Sequence, residues 1–315
     1  MTIPQHGRKP ARAEASAGSG VASRMMANAY VLLTLTPLFW AGNFIVGKWV
    51  AGDVPPFALG TLRWVAAAAI LAPFAWPHLR RDWPDVKRHL GIIALLGLLG
   101  PTLFNTIAYV GLNSTTALNG LIMQSAAPIL IVTSSFLIFR DRLSVVQALG
   151  IATSMVGVIV VVTRGALGAL LELALNIGDL IILAGFVSWS LYTVFLRYRP
   201  DAHWLTFAFL LAVAGVVFNV PLWAIEHVAY APFTWSWKAI IAVLYVAIFP
   251  SIVSYNLYNR GVQLIGANRA GVFLHLVPLF GSVMAIGLLG ERLETYHLLG
   301  FALIIVGVVL AARRA

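Results

Sequence analysis

The feature that most limits what this chain can fold into is a series of ten apolar runs, each close to twenty residues long, joined by short polar connections. They fall at roughly 28–48, 56–76, 90–110, 114–139, 144–163, 178–197, 203–226, 238–259, 264–289 and 295–312. A helix of about 20 apolar residues crosses the hydrocarbon core of a bilayer. Only helices and closed barrels satisfy their own backbone groups there. These runs are too long for barrel strands and lack the strict alternation such strands need. The expected fold is therefore an all-α integral membrane protein with ten transmembrane helices. Composition agrees: 60% of the residues are hydrophobic and 10% are charged, against about 25% charged in soluble domains. A formal charge of +10 raises nucleic acid as a partner. The basic residues lie in short segments between apolar runs, so no nucleic-acid partner is expected, and membrane lipid takes that place. With no cysteine in the chain, disulfides, thiolate metal sites and cysteine nucleophiles are excluded.

Residues 1–27 differ from the rest. "MTIPQHGRKPARAEASAGSGVASR" is polar, small and basic, without the apolar core and cleavage site of a secretory signal. It reads as a disordered cytoplasmic tail. With the N-terminus inside, 15 of the 21 Lys and Arg residues fall in inner segments. Three, Arg164, Lys238 and Arg292, fall in outer loops, and Lys48, Arg63 and Arg269 lie within or at the rim of spans. Because basic loops stay on the cytoplasmic side, the expected placement is the inner (cell) membrane with both termini in the cytoplasm.

The two halves match. At an offset of 150, twelve of the 54 positions from 111 to 164 are identical to those from 261 to 314. Gly111 meets Gly261, Pro128 meets Pro278, Arg142 meets Arg292, Gly150 meets Gly300 and Gly157 meets Gly307. Asp141 pairs with Glu291, and near the start of each half the offset drops to 149, where Trp40 meets Trp189. The expected units are 28–164 and 165–315, five spans each. An odd number of spans forces the second unit to enter the membrane in the opposite sense. Inverted repeats of this kind recur in secondary transporters, with the substrate site near the midplane between the repeats; a duplication with a purely structural outcome is the other reading.

The chain resembles the drug/metabolite transporter superfamily, specifically EamA-type proteins with two tandem EamA domains. The resemblance runs from about 30 to 312. It is carried by "FWAGNFIVGKWV" (39–50), "LRW" (62–64), "AAPIL" (126–130) and "RDRLSVVQALGIATSMVGVIVV" (140–161) in the first half. In the second half it is carried by "GDLIILAGFVSWSLYTVFLRY" (178–198), "VPLF" (277–280) and "GERLETYHLLGFALIIVGVVL" (290–310). It implies two inverted five-helix repeats, alternating access and small metabolites as substrates, amino acids among them. It also implies a central cavity lined mainly by spans 1, 3, 4, 6, 8 and 9. One departure stands out: Phe139-Arg140-Asp141-Arg142 lacks the glycine that precedes Glu291.

No carboxylate lies deep in any span, which disfavours a carboxylate-driven cycle and a two-carboxylate hydrolase. His275 is the only histidine deep in a span. It is either a hydrogen-bonded packing residue or a cavity residue that contacts substrate or takes a proton. Its repeat counterpart is Ser125, with Gln124 alongside. Arg63 is the deepest cation and must face the bundle, pinned to a polar partner such as Asn43 or holding a substrate carboxylate. Trp40 and Trp189 sit near span centres, although tryptophan prefers the interface, and their indole N–H groups need acceptors. Asn43 and Tyr192 share their helical faces, and Asn105, Tyr109, Ser254 and Tyr255 lie at matched depth. Together these residues suggest an aromatic-walled cavity for apolar or aromatic zwitterions; interhelical hydrogen bonding is the alternative for each. Asp179 is expected to cap span 6. Asp141 and Glu291 are expected to pair with the arginines beside them. Pro128 and Pro278, with Pro101 and Pro250, are expected to kink their spans. Gly150, Ser154, Gly157, Gly300 and Gly307 allow either packing between neighbours or contact with another copy in a homo-oligomer. The expected function is secondary transport of a small organic metabolite, outward, by alternating access. No enzymatic activity, cofactor or metal is expected; a passive channel and an intramembrane enzyme are the alternatives. The chain carries no G-x-x-x-x-G-K-[ST] loop for nucleotide.

Overall fold

The structure, a computed structural model, describes residues 27–50, 52–115, 123–166, 168, 176–229, 234–289 and 293–313. Residues 1–26 of the expected tail lie outside these, as do Gly290, Glu291, Arg292 and the Lys48 side chain. The described residues are helical, with no strand among them. Helix α1 covers Ala29–Trp49 and α2 covers Pro56–Val86. Next come α3 (Leu90–Gly97), a π-helical segment (Leu98–Phe104) and α4 (Asn105–Ser114), which together form one bent rod. Then follow α5 (Ala127–Phe139), α6 (Val145–Val162), α7 (Ile177–Phe195) with a 3₁₀ turn (Leu196–Tyr198), and α8 (Trp204–Ala229). A second bent rod joins α9 (Trp237–Val246), a π-helical segment (Ala247–Ser254) and α10 (Tyr255–Ile265). The chain closes with α11 (Ala267–Gly271), a 3₁₀ turn (Val272–His275), α12 (Leu276–Leu289) and α13 (Thr295–Ala312). Among the described residues eight helical stretches are long and apolar enough to cross a membrane, and Met123–Phe139 is a shorter apolar helix. The chain is an all-helical, multi-pass membrane protein.

Several expected boundaries shift. The sequence places a connection at 77–89, but α2 runs on to Val86 through Pro77 and Pro84. Beyond the apolar core, water can satisfy the carbonyls these prolines strand, so the helix need not stop. Pro128 and Pro278 do not kink continuous helices. Pro128 occupies the first turn of α5, and Pro278 follows the Val272–His275 turn at the start of α12. A missing N–H costs nothing in a first turn. Pro101 and Pro250 fall one inside each π-helical segment, where proline and the π-helical turn are expected to bend the rod. A proline deprives the carbonyl four residues back of its donor, here Gly97 and Val246. In both rods the next residue repairs the loss: Thr102 Oγ1 donates to Gly97 O at 3.1 Å, and Ser251 Oγ donates to Val246 O at 2.7 Å.

Packing interleaves the two halves. Helix α6 lies antiparallel against α13, since Gly150 faces Gly307 and Ala311 while Gly157 faces Gly300 and Ile304. A Cβ at Gly150 would stand 2.4 Å from Ala311 N, and one at Gly307 would stand 2.3 Å from Ser154 N. These glycines therefore serve close backbone approach within the chain. Helices α2 and α8 form another tight pair, and each closes the other's N-terminus. Glu226 on α8 accepts from Phe57 N (3.2 Å) and Ala58 N (2.9 Å). Asp82 on α2 accepts from His203 N (2.8 Å) and the Thr206 hydroxyl (2.7 Å). Carboxylates at a helix start meet unpaired N–H groups and the positive end of the dipole.

Capping explains other local features. Asp179 is the third helical residue of α7, its carboxylate accepting from Asn176 N (2.8 Å) while Asn176 Oδ1 accepts from Asp179 N (3.2 Å). The Thr115 hydroxyl also donates to Asp179, tying the end of α4 to α7. Asp141 pairs with Arg197 at the end of α7 and accepts from Ser135, rather than pairing with the arginines beside it in sequence. Where the first half lacks a glycine after its fourth span, Arg140 itself takes the left-handed conformation at φ 59°, at a cost of about 1 kcal/mol.

Candidate functional site

Arg63 organises the polar interior. It rises from the second turn of α2 and is 1% exposed. Its Nε donates to Ser251 Oγ at 2.8 Å, and its Nη1 donates to Asn105 Oδ1 (2.9 Å), Tyr109 Oη (2.8 Å) and Asn43 Oδ1 (3.4 Å). Asn43 is thus the partner expected from sequence, joined by three others. Asn105 Nδ2 donates in turn to Gly100 O, Pro101 O and Tyr255 Oη. Arg63 consequently ties both bent rods together, through Asn105 on the first and Ser251 on the second. Among the described residues no carboxylate lies within ion-pair distance of it. A buried charge with only neutral acceptors is costly, and an incoming anion would relieve that cost.

Beside this network lies a cavity of about 30 Å³, room for roughly one or two waters. Its polar lining is Asn43, Asn105, Tyr109 and Gln124, and its apolar lining is Trp40, Phe104, Phe186, Trp189, Ala108 and Leu274. Arg63 stands one layer behind the wall, bonded to three of the lining residues. Asn43 Oδ1 receives both Arg63 and the Tyr109 hydroxyl (3.1 Å), which aims the Asn43 amide group the other way as a donor. Gln124 is 4% exposed and its Oε1 has no hydrogen-bond partner among the described residues. Donor and acceptor therefore share one aromatic-walled space. The Trp40 and Trp189 rings meet edge to face at 5.1 Å, and Trp40 Nε1 donates to Pro250 O.

Tyr192 and Tyr255 stand behind the cavity. With Tyr258 they join the two tryptophans in one ring cluster, and the Tyr192 hydroxyl donates to Asn259 Oδ1 at 2.8 Å. Asn259 also lines two larger cavities of about 660 and 600 Å³, which share Arg199, Asp201 and Gln263. A smaller gap of about 10 Å³, lined by Ser251, Tyr255 and Asn259 among others, shares Asn259 with both. Through the Tyr192–Asn259 bond the ring cluster reaches from the small central space to the wall of this wide vestibule.

His275 is not brought to the cavity. It is 1% exposed and held at both nitrogens: Nε2 donates to Ser125 O at 2.9 Å, and Nδ1 lies 2.6 Å from Ser154 Oγ. A carbonyl can only accept, so Nε2 carries a proton, while Ser154 Oγ bonds both Nδ1 and the Ile151 carbonyl. Both ring nitrogens are satisfied, and the imidazole pins the Val272–His275 turn to α6. Sequence reasoning passed over Trp64, which donates to Pro101 O at 2.8 Å. It also passed over Asn219, which accepts from Thr106 and donates to Thr102 and to Gly215 O. The hydroxyl immediately after each bend proline, in "PT" (101–102) and "PS" (250–251), was the available signal.

An apolar helical bundle around a buried polar centre has the build of a membrane transporter. The chain matches the profile of the EamA-like transporter family twice, over residues 27–163 and 176–313, and it belongs to that family. The uncharacterized transporter YyaM of Bacillus subtilis is 27% identical over 291 residues, covering 90% of this chain and 93% of its own. An uncharacterized transporter of Archaeoglobus fulgidus is 27% identical over 298 residues, covering 92% and 99%. A solved crystal structure superposes with a TM-score of 0.71 at 20% identity over 90% of this chain and 96% of its own, a likeness of fold.

Proposed function

We propose that the chain is a secondary carrier that moves a small carboxylate-bearing metabolite, of the amino-acid class, outward across the cell membrane by alternating access. The observation that carries this reading is the buried Arg63 guanidinium, without a carboxylate partner among the described residues, directly behind an aromatic-walled cavity. A solute carboxylate supplies the missing negative charge. The Asn43 donor, the Gln124 acceptor and the rings around them suit the rest of a zwitterion. As it stands the cavity is too small for such a solute, so binding requires the rings between it and the vestibule to move. Ten spans in two inverted five-helix repeats fit this motion. Their support is the antiparallel α6–α13 contact, in which repeat-related glycines meet reciprocally, and the paired bends at Pro101 and Pro250. Both termini lie in the cytoplasm on this reading, as the distribution of Lys and Arg favours. Outward direction follows the family resemblance.

The test is purified protein in liposomes, exchanging labelled amino acids across the bilayer. Saturable exchange that is accelerated by unlabelled solute on the far side supports a carrier. Linear flux without saturation would point to a channel, and equal exchange of carboxylate-free analogues would remove the role given to Arg63.

A further inference from the structure

A second cluster of ionisable groups sits far from the cavity, where the end of α2 meets the start of α8. The His78 and His203 rings stack face to face, with centroids 3.7 Å apart and planes 6° from parallel. His203 Nδ1 accepts from Leu205 N at 3.3 Å. A backbone N–H can only donate, so Nδ1 is unprotonated and the ring is neutral. Asp82 is committed elsewhere: its carboxylate holds His203 N and the Thr206 hydroxyl at the start of α8.

Three features oppose a proton on His203. Its Nδ1 lone pair already closes a helix start, where the dipole disfavours positive charge. Its neighbour in the stack is another imidazole, and two imidazolium rings at this separation repel strongly. Burial, the largest cause, pushes its pKa below the ordinary imidazole value; His78 and Arg81 push the same way, and the Asp82 carboxylate opposes them. The charged groups that act on it are Asp82 and Arg81 on α2; Arg199, Asp201 and, on α10, Arg260 line the vestibule that its neighbour Trp204 also lines.

We propose that His78 and His203 form a proton-binding site that holds these ends of α2 and α8 together when neutral and lets them part when protonated. The sign follows from linkage. A base whose folded pKa is lowered contributes stability that is fully present above the free imidazole value, about 6.5. That contribution is lost as pH falls toward the folded value. Helix α2 carries Arg63 and α8 opens the vestibule, so a looser pair tilts one wall of the route between them. This inference stands apart from the identity of the solute.

The full-length protein in lipid nanodiscs, with isotope-labelled histidine, provides the test between pH 8 and pH 5. His203 should titrate below the ordinary imidazole range, and the melting midpoint should fall by several degrees between about pH 6.5 and that titration. His78→Gln should move the His203 titration upward by removing the stacked partner. His203→Asn retains an acceptor for Leu205 N and so keeps α8 capped, and it should flatten the acid fall in melting. An ordinary His203 titration in the unaltered protein would overturn the proposal. So would a His203 titration indifferent to His78→Gln, or an acid fall unchanged in His203→Asn.

Discussion

The two bent rods meet the same backbone problem with the same pair of residues and then diverge. Each has a proline inside a π-helical segment, and each places a hydroxyl on the carbonyl which that proline strands. Around the first bend the groups are large and polar: Asn105 and Trp64 both reach the Pro101 carbonyl. Around the second, the side-chain bond to Pro250 O among the described residues comes from Trp40, at 3.3 Å. The positions matching Arg63 at the two repeat offsets hold Ala212 and Val213. The duplicated feature is thus the backbone irregularity, while the side chains that exploit it belong to one half. That difference gives the cavity its electropositive wall.

The comparison can be broken most directly at Arg63, which bonds to both rods. Arg63→Leu strands acceptors on each, at about 1–3 kcal/mol for every one left buried. Solute exchange in liposomes should fall to background, and the melting midpoint should drop. Next in size is Asn105→Leu, which frees the Gly100 and Pro101 carbonyls and one Arg63 bond, costing about 1–3 kcal/mol in thermal denaturation. The matched pair Thr102→Val and Ser251→Ala sharpens the contrast. Each removes the same repair, worth about 0.5–1.5 kcal/mol; Thr102→Val also drops one bond from Asn219, whose amide keeps Gly215 O, whereas Ser251→Ala strands the charged Arg63 Nε. Ser251→Ala should be the more damaging of the two; equal effects would mean that the Arg63–Ser251 bond contributes no more than the Asn219–Thr102 bond. Smallest are Trp64→Phe and Trp40→Phe. The first should cost about 1 kcal/mol and the second less, because its bond is longer and only partly buried.

Position along each helix was readable from the chain, and direction around it was not. Spacing alone put Arg63, Asn43, Asn105 and Tyr109 at one level, and the structure joins them. His275 lies at that level too, yet it turns toward Ser125 and Ser154, because one helical face cannot be told from another in a helix apolar all round. The prolines were legible, but their consequences depended on position within a turn. Pro101 and Pro250 bend their rods, whereas Pro128 and Pro278 begin helices. The Asp141–Arg197 pair joins residues far apart in the chain, and charge near charge in sequence pointed to the wrong arginine.

Helices α2 and α8 come from opposite halves, and each supplies the carboxylate that the other's first turn requires. Made by itself, the first half would start α2 with the Phe57 and Ala58 amides bare. The second would keep the His203 Nδ1 cap on Leu205 N but lose the carboxylate that holds His203 N and Thr206. Each fragment lacks a part of its own helix start. Separately synthesised halves should therefore be degraded when alone and rescued when produced together.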